Sequence, residues 1–296
     1  MKMTAGRNKA LAAGAKKGGR SRKPPSPATL PLNAQGRFYH INCGPGDLAP
    51  YILTCGHPER ARKIARLLDQ VRLKRSHREF LTFTGTYKKI PVSVMATGIG
   101  AGATAIAIIE ACQCVHPVTF IRLGSTGALQ DYIALGDLVI TAEALRDEKT
   151  THYYAPADVK AKAHPQVLAA LTKAAATLGF PHHVGLTCTT ADFYAGQGRV
   201  VPGFPTVDPE KVTRLSQAGV LNFEMEMSAY LTLAAVSTYD LRAGGLCAVY
   251  NNRLHDIQAG PKLMRLAETR LIHTGLLALE ILAGEDGRSR EFGEGG

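Results

Sequence analysis

The sequence predicts an α/β protein whose mostly parallel or mixed sheet is covered by helices on both faces. Two observations carry that prediction. Short apolar runs with no in/out alternation recur along the chain, as strands buried on both faces require. Segments with apolar residues at helical spacing separate many of them, the alternation that builds layered α/β folds. The 296 residues suffice for one large domain, and the 45% hydrophobic and 20% charged content is ordinary for a globular chain.

Taken in order, residues 50–55 read as a buried strand, closed by Gly56-His57-Pro58. Ala61, Ile64, Ala65 and Leu68 then fall on one helical face. Residues 80–87 and 90–97 read as two strands joined at Lys88-Lys89. A small-residue helix is expected over about 102–114, a strand over Val118 to Leu123 and another over Asp137 to Ala142. Val167, Leu168, Leu171, Ala175 and Leu178 mark a helix, with strands near 183–189 and 219–224 after it. A helix over about 226–238, a strand from Gly244 to Tyr250 and a long helix over about 261–283 complete the body, without internal repeats.

The net charge of +11 has the magnitude of a nucleic-acid binder until it is located. Residues 1–37 hold nine basic residues and no acid, so the other 259 carry only +2. Residues 1–36, with Pro24, Pro25, Pro27 and Pro31, are expected to form a disordered basic extension, 37–284 the folded domain and 285–296 a flexible tail. A targeting role or RNA binding by the extension are the other readings of its composition. No apolar run approaches the ~18 residues of a membrane span. The six cysteines lack zinc spacing and several sit in apolar runs, which fits buried free thiols in a reducing, cytoplasmic setting.

Four segments at strand ends carry residues suited to chemistry. Gly56-His57-Pro58-Glu59-Arg60 joins a close-approach glycine, a helix N-terminus and an arginine, which suits an anion; alone it also reads as an ordinary strand-to-helix turn. Thr97-Gly98-Ile99-Gly100-Ala101-Gly102-Ala103 contains G-x-G-x-x-A, yet the acid that a dinucleotide fingerprint needs about twenty residues on is absent. Tight helix-on-strand packing explains those glycines better. Arg122-Leu123-Gly124-Ser125-Thr126-Gly127 sets an arginine at the end of an apolar strand, paired there either with a phosphate or in a structural salt bridge. Glu224 and Glu226, at i and i+2, lie on one side of an extended strand end and suit a ribose diol or an acid/base pair.

These segments, in this order and with Ser76-His77-Arg78-Glu79-Phe80 as a fifth block, closely resemble the nucleoside phosphorylase family, nearest its uridine-cleaving branch. The resemblance covers roughly 245 residues, from Tyr39-His40-Ile41 to the final helix. It implies a single-domain three-layer α/β/α sandwich whose central mixed sheet is partly barrel-like. It also implies phosphate contacts by Gly56, Arg60, Arg122 and Ser125, with Arg78 reaching in from a neighbouring subunit. Met225 and Glu226 would hold the ribose with His40 of that neighbour, which makes a dimer the smallest active unit. Phe193-Tyr194-Ala195-Gly196-Gln197-Gly198-Arg199 resembles the uracil-recognising loop, in which Gln197 and Arg199 read the base and Phe193 stacks on it.

Asn251-Asn252-Arg253 stands where purine-cleaving relatives carry an aspartate, which favours a pyrimidine, and Arg253 joins the candidate substrate contacts. The implied activity is phosphorolysis of uridine, extending to deoxyuridine or thymidine, with Arg122, Arg60, Gln197, Arg199 and Glu226 carrying catalysis. Inorganic phosphate is the co-substrate and no further cofactor is required. A purine nucleoside phosphorylase, a nucleosidase and a non-catalytic nucleic-acid-associated protein are the alternatives. Three departures stand out: His57 replaces an Asp, Ala103 replaces the serine that binds an interface cation beside Glu79, and Ala195 replaces a Pro in the base loop.

Overall fold

The structure is a computed structural model and describes residues 27–293. The basic stretch 1–26 therefore lies outside the described residues, as does 294–296. Residues 27–36, grouped above with the extension, are described and dock on the domain. Leu32 bridges Phe38, Leu30 packs on the core, and Asn33 Oδ1 accepts from the amides of Gln35 and Arg37.

The elements alternate as expected. They are β1 (Tyr51–Cys55), α1 (Pro58–Ala65), β2 (Gln70–His77), β3 (Phe80–Tyr87), β4 (Ile90–Ala96), α2 (Ala101–Cys112), β5 (Val118–Ala128), β6 (Leu138–Asp147) and β7 (Ala161–Lys162). Then follow α3 (Pro165–Thr177), β8 (His182–Thr190), α4 (Lys211–Gln217), β9 (Asn222–Glu224), α5 (Met227–Val236), β10 (Leu241–Asn252), β11 (Ile257–Gln258) and α6 (Pro261–Gly293).

One mixed sheet threads the domain in the order β11-β10-β6-β8-β9-β5-β1-β4-β3-β2. A further parallel pairing of β10 with β5 closes β5, β10, β6, β8 and β9 into a five-stranded barrel, from which β1, β4, β3 and β2 extend as a wing. Alternate side chains of β1, β4 and β5 feed opposite layers, as the period of two requires. Leu53, Val94, Ile121 and Leu123 face the layer of α1, α3 and α6, whereas Ile52, Met95 and Phe120 face that of α2 and α5. This is the expected three-layer mixed fold with a partly closed sheet.

Several elements depart from the sequence reading: β7, α4 and β11 were not expected, β6 runs on to Asp147, and four further departures bear on the site or the chain ends. β2 was not expected, because Gln70-Val71-Arg72-Leu73-Lys74-Arg75-Ser76-His77 is too polar for a buried strand; it lies exposed at the sheet edge, where charges discourage pairing with other chains. β5 runs five residues past Leu123, so Arg122 lies in mid-strand rather than at a strand end. β9 is only three residues long, which leaves Glu226 beyond it at the start of α5. α6 continues to Gly293, so residues 285–293, expected as a flexible tail, are helical. Arg242 and Tyr51 bind Asp286 there.

No helix among the described residues is long and apolar enough to cross a membrane. All six cysteines are buried and free. Burial pushes the Cys43, Cys112, Cys188 and Cys247 thiols up to about 12 and Cys55 to about 11, so none of these is a nucleophile at neutral pH.

The β5–β10 seam is tight at Gly245, where a Cβ would lie 2.6 Å from both the Arg122 carbonyl and the Met227 methyl. Gly245→Ala is expected to lower stability by roughly 1–3 kcal/mol. A fall in the urea midpoint at unchanged slope would register it, and an unchanged midpoint would contradict it.

Candidate active site

Strand ends and loops around the barrel mouth enclose a cleft of about 540 Å³. Its walls bring together seven residues singled out in the sequence: Gly56 and Arg60 from the β1–α1 turn, Arg122 and Ser125 from β5, Phe193 from the loop after β8, and Met225 and Glu226 before α5. The floor is electrostatically crowded. Arg122, 3% exposed, donates through Nε to Glu224 Oε2 at 3.0 Å and through Nη2 to Glu226. Burial opposes its charge, but the two carboxylates override that and raise its pKa above the ordinary arginine value.

The two glutamates differ in what remains open to a ligand. Glu224 Oε2 also accepts from the amides of Glu226 and Met227 at 2.8 Å, and Oε1 accepts from the Thr189 hydroxyl. Its acceptors are committed to the fold. Glu226 binds Arg122 and the Gly100 amide and borders the cleft. Burial pushes its carboxyl up against the pull of Arg122. The Thr97–Ala103 loop therefore serves Glu226 through its Gly100 amide, where the dinucleotide pattern would need that amide for a phosphate. Gly124 allows the close packing beside the guanidinium, since a Cβ there would lie 2.6 Å from Cys247 Sγ and 2.8 Å from Arg122 Nη2.

Arg60 is buried and held at three atoms. Nε donates to Glu268 Oε1 at 3.0 Å, Nη1 to the Leu123 carbonyl at 3.0 Å and Nη2 to the Tyr250 hydroxyl at 3.3 Å. Burial alone would raise Glu268, yet Lys63 and Arg60 hold it below the ordinary carboxylate range. Sequence reading missed Glu268 and Tyr250 as partners, because 208 and 190 residues separate them from Arg60 and neither lies in a motif.

Phe193 is the residue of its loop that lines the cleft, and the guanidinium of Arg199 lies 4.0 Å from the centre of its ring. Gln197 is 3% exposed and its Nε2 donates to Thr190 Oγ1 at 3.3 Å. Arg199 Nε, and Nε and Nη1 of Arg253, are buried without a hydrogen-bond partner. Burial lowers the pKa of Arg253. Buried unpaired donors are costly unless something accepts from them, which suits a ligand carrying carbonyl oxygens. Asn252 is occupied elsewhere, donating to the Gln130 and Ile133 carbonyls and accepting from Leu254 N.

His40, Arg78, Gln197, Arg199 and Arg253 do not line this cleft. His40 Nδ1 pairs with the buried Glu110 at 2.6 Å, while Arg78 is exposed and lies 5.4 Å from the Tyr39 ring. Glu79 is exposed and packs over Gly98. Among the described residues no group of three or more His, Cys, Asp or Glu side chains could hold a metal ion.

Removing Arg122 would leave Glu224 and Glu226 buried without their cation. Arg122→Met is expected to cost about 3–5 kcal/mol of stability. A urea melt measures this, and a loss below 1 kcal/mol would mean that the triad is not a buried ion cluster.

Sequence relatives bear on this cleft. The profile described as the Phosphorylase superfamily matches residues 50–272. A uridine phosphorylase of Thermococcus kodakarensis is 47% identical over 231 residues, 77% of this chain and 82% of the relative. A uridine phosphorylase of Escherichia coli is 34% identical over 243 residues, 79% and 93% of the two chains. A DeoD-type purine nucleoside phosphorylase of Shewanella oneidensis is 34% identical over 212 residues, 71% and 84%. The chain belongs to the nucleoside phosphorylases of the phosphorylase superfamily.

Proposed function

We propose that this chain is a uridine phosphorylase, which cleaves uridine reversibly with inorganic phosphate to uracil and ribose 1-phosphate. One observation carries the reading. A single cleft joins an arginine-lined pocket at Gly56, Arg60, Arg122 and Ser125 to a loop bearing Phe193, Gln197 and Arg199, with Met225 and Glu226 between them. Anion, sugar and base thus have adjoining places. The 47% identical uridine phosphorylase supports the choice of base.

In this reading the Gly56 amide, the Ser125 hydroxyl and the two arginines seat phosphate beneath C1′ of the sugar. Glu226 accepts from the ribose diol, and Met225 packs on the ring. As the glycosidic bond loosens, the sugar becomes oxocarbenium-like and the phosphate charge stabilises it. Gln197, Arg199 and Arg253 donate to the uracil carbonyls, where negative charge develops. The catalysis is positioning and preorganised electrostatics, with no side chain as nucleophile. His40 and Arg78 would serve the cleft of a neighbouring copy, so a homodimer is the proposed active unit. A cytoplasmic location is part of the proposal and rests on the six free thiols. A cation at the subunit interface is not part of it, because Ala103 lacks the hydroxyl that would accompany Glu79.

The purine reading has the Shewanella relative in its favour. Against it, Asn251 and Asn252 offer no carboxylic acid to protonate a purine, and the Asn252 amide is tied into its own turn.

A panel of uridine, deoxyuridine, thymidine and inosine, assayed with and without phosphate, tests the assignment. Uracil release from uridine that requires phosphate is expected; inosine cleavage without uridine cleavage would overturn it. Gln197→Ala is expected to raise the uridine KM at least tenfold and leave the phosphate KM within about twofold. The raised Glu226 carboxyl sets the acid limb of uridine binding. The ionised form accepts from the diol, so binding weakens as pH falls through a value above the ordinary 4.5. A pH profile of kcat/KM for uridine checks this, and a limb at or below 4.5 would contradict it.

A further inference from the structure

The loop that carries Phe193, Gln197 and Arg199 has little packing of its own. Phe193, Tyr194, Val200 and Phe204 are all exposed. Where the family pattern has a proline, this loop has Ala195, which leaves φ unrestricted. Left to itself, such a segment would have to be ordered each time a base binds, at a cost in affinity.

Two side chains outside the base contacts hold it at one point, the peptide groups of Gly196. Asp192 Oδ2 accepts from the Gly196 amide at 2.8 Å. On the other side of the same residue, Lys211 Nζ donates to the Gly196 carbonyl at 2.6 Å and is paired with Asp147. Lys211 opens α4 and is 9% exposed, an unusual burial for a lysine. Asp147 closes β6. The Lys211 stem also meets the loop, since a Cβ built on Gly198 would lie 3.3 Å from Lys211 Cβ. The ammonium therefore links a barrel strand, a helix start and the residue directly before Gln197.

We propose that Lys211 and Asp192 are positioning residues that clamp Gly196 and so set the base-reading geometry of Gln197 and Arg199. Neither touches the base. The clamp takes over the stiffening that a proline at 195 would give, through an ion pair and two hydrogen bonds. It acts at the base end alone, because the phosphate residues stand on β1, α1 and β5, which it does not contact. The proposal rests on the uridine phosphorylase reading of the cleft.

The test uses the full-length enzyme and steady-state kinetics in which uridine and phosphate are varied separately. Lys211→Met keeps the stem and removes the ammonium. It is expected to raise the uridine KM roughly tenfold, the effect of losing a hydrogen bond to a charged group. The phosphate KM and kcat should stay within about twofold. Lys211→Arg should recover most of the loss. Asp192→Ala, at an exposed residue where folding is not at risk, should shift the uridine KM severalfold in the same direction. It decides the matter if Lys211→Met does not fold.

A uridine KM within twofold of wild type in the folded variants would overturn the clamp. So would equal rises in both KM values, which is the mark of a general structural defect. Wild-type enzyme that fails to cleave uridine at any phosphate concentration would instead sink the functional reading.

Discussion

A buried arginine between two buried carboxylates is the constraint around which this domain is arranged. Arg122 stands in mid-strand on β5, Glu224 ends β9 and Glu226 caps the start of α5, so one guanidinium joins three elements. Each charge is tolerable inside the protein only because the others are present. The surrounding hydrogen bonds follow from that need. Thr189 and two backbone amides complete Glu224, and the Gly100 amide completes Glu226. The turn from β9 into α5 and the loop before α2 take their shapes in meeting these acceptors. Gly124 and Gly245 belong to the same constraint, because the space beside Arg122 is too small for a Cβ at either position.

Much of this was legible in the sequence, and the reasons for the rest are physical. β1, β4 and α2 have the apolar, doubly buried or small-residue composition that periodicity detects. Their connecting turns carry the site motifs. β2 was not legible, because an edge strand has no buried face to imprint a pattern. The length of β5 was hidden for a different reason. Gly124-Ser125-Thr126-Gly127 reads as a loop, and it is held in strand form by its pairing with β10, whose partners lie more than 120 residues away. Barrel closure depends on that same long-range pairing, so the barrel came only from the resemblance.

The site divides along the same line. The candidate residues came from motifs, and those that act through tertiary contact carried no such signal. Glu268, Tyr250, Lys211 and Asp192 have ordinary local sequences. Their significance arises only when α6, β10, α4 and the loop after β8 are brought to Arg60 and Gly196. A buried lysine or a paired helix glutamate leaves no periodic trace, because one polar residue among many on an amphipathic helix is unremarkable.

The charges around the proposed phosphate pocket cancel one another. Arg122 is matched by Glu224 and Glu226, and Arg60 together with Lys63 by Glu268. Three cations face three carboxylates, so these residues bring no excess positive charge to a phosphate that would bear one to two negative charges. Hydrogen-bond donors at Gly56 and Ser125 orient an anion but cannot neutralise it. A cation from outside the chain would supply what is missing. Arg78, exposed on the β2–β3 turn against the Tyr39 ring and hydroxyl, stands where it could extend to another copy. The internal neutrality of the pocket thus gives the proposed dimer an electrostatic reason: assembly would complete the site by adding the charge that folding alone has already spent on its own carboxylates.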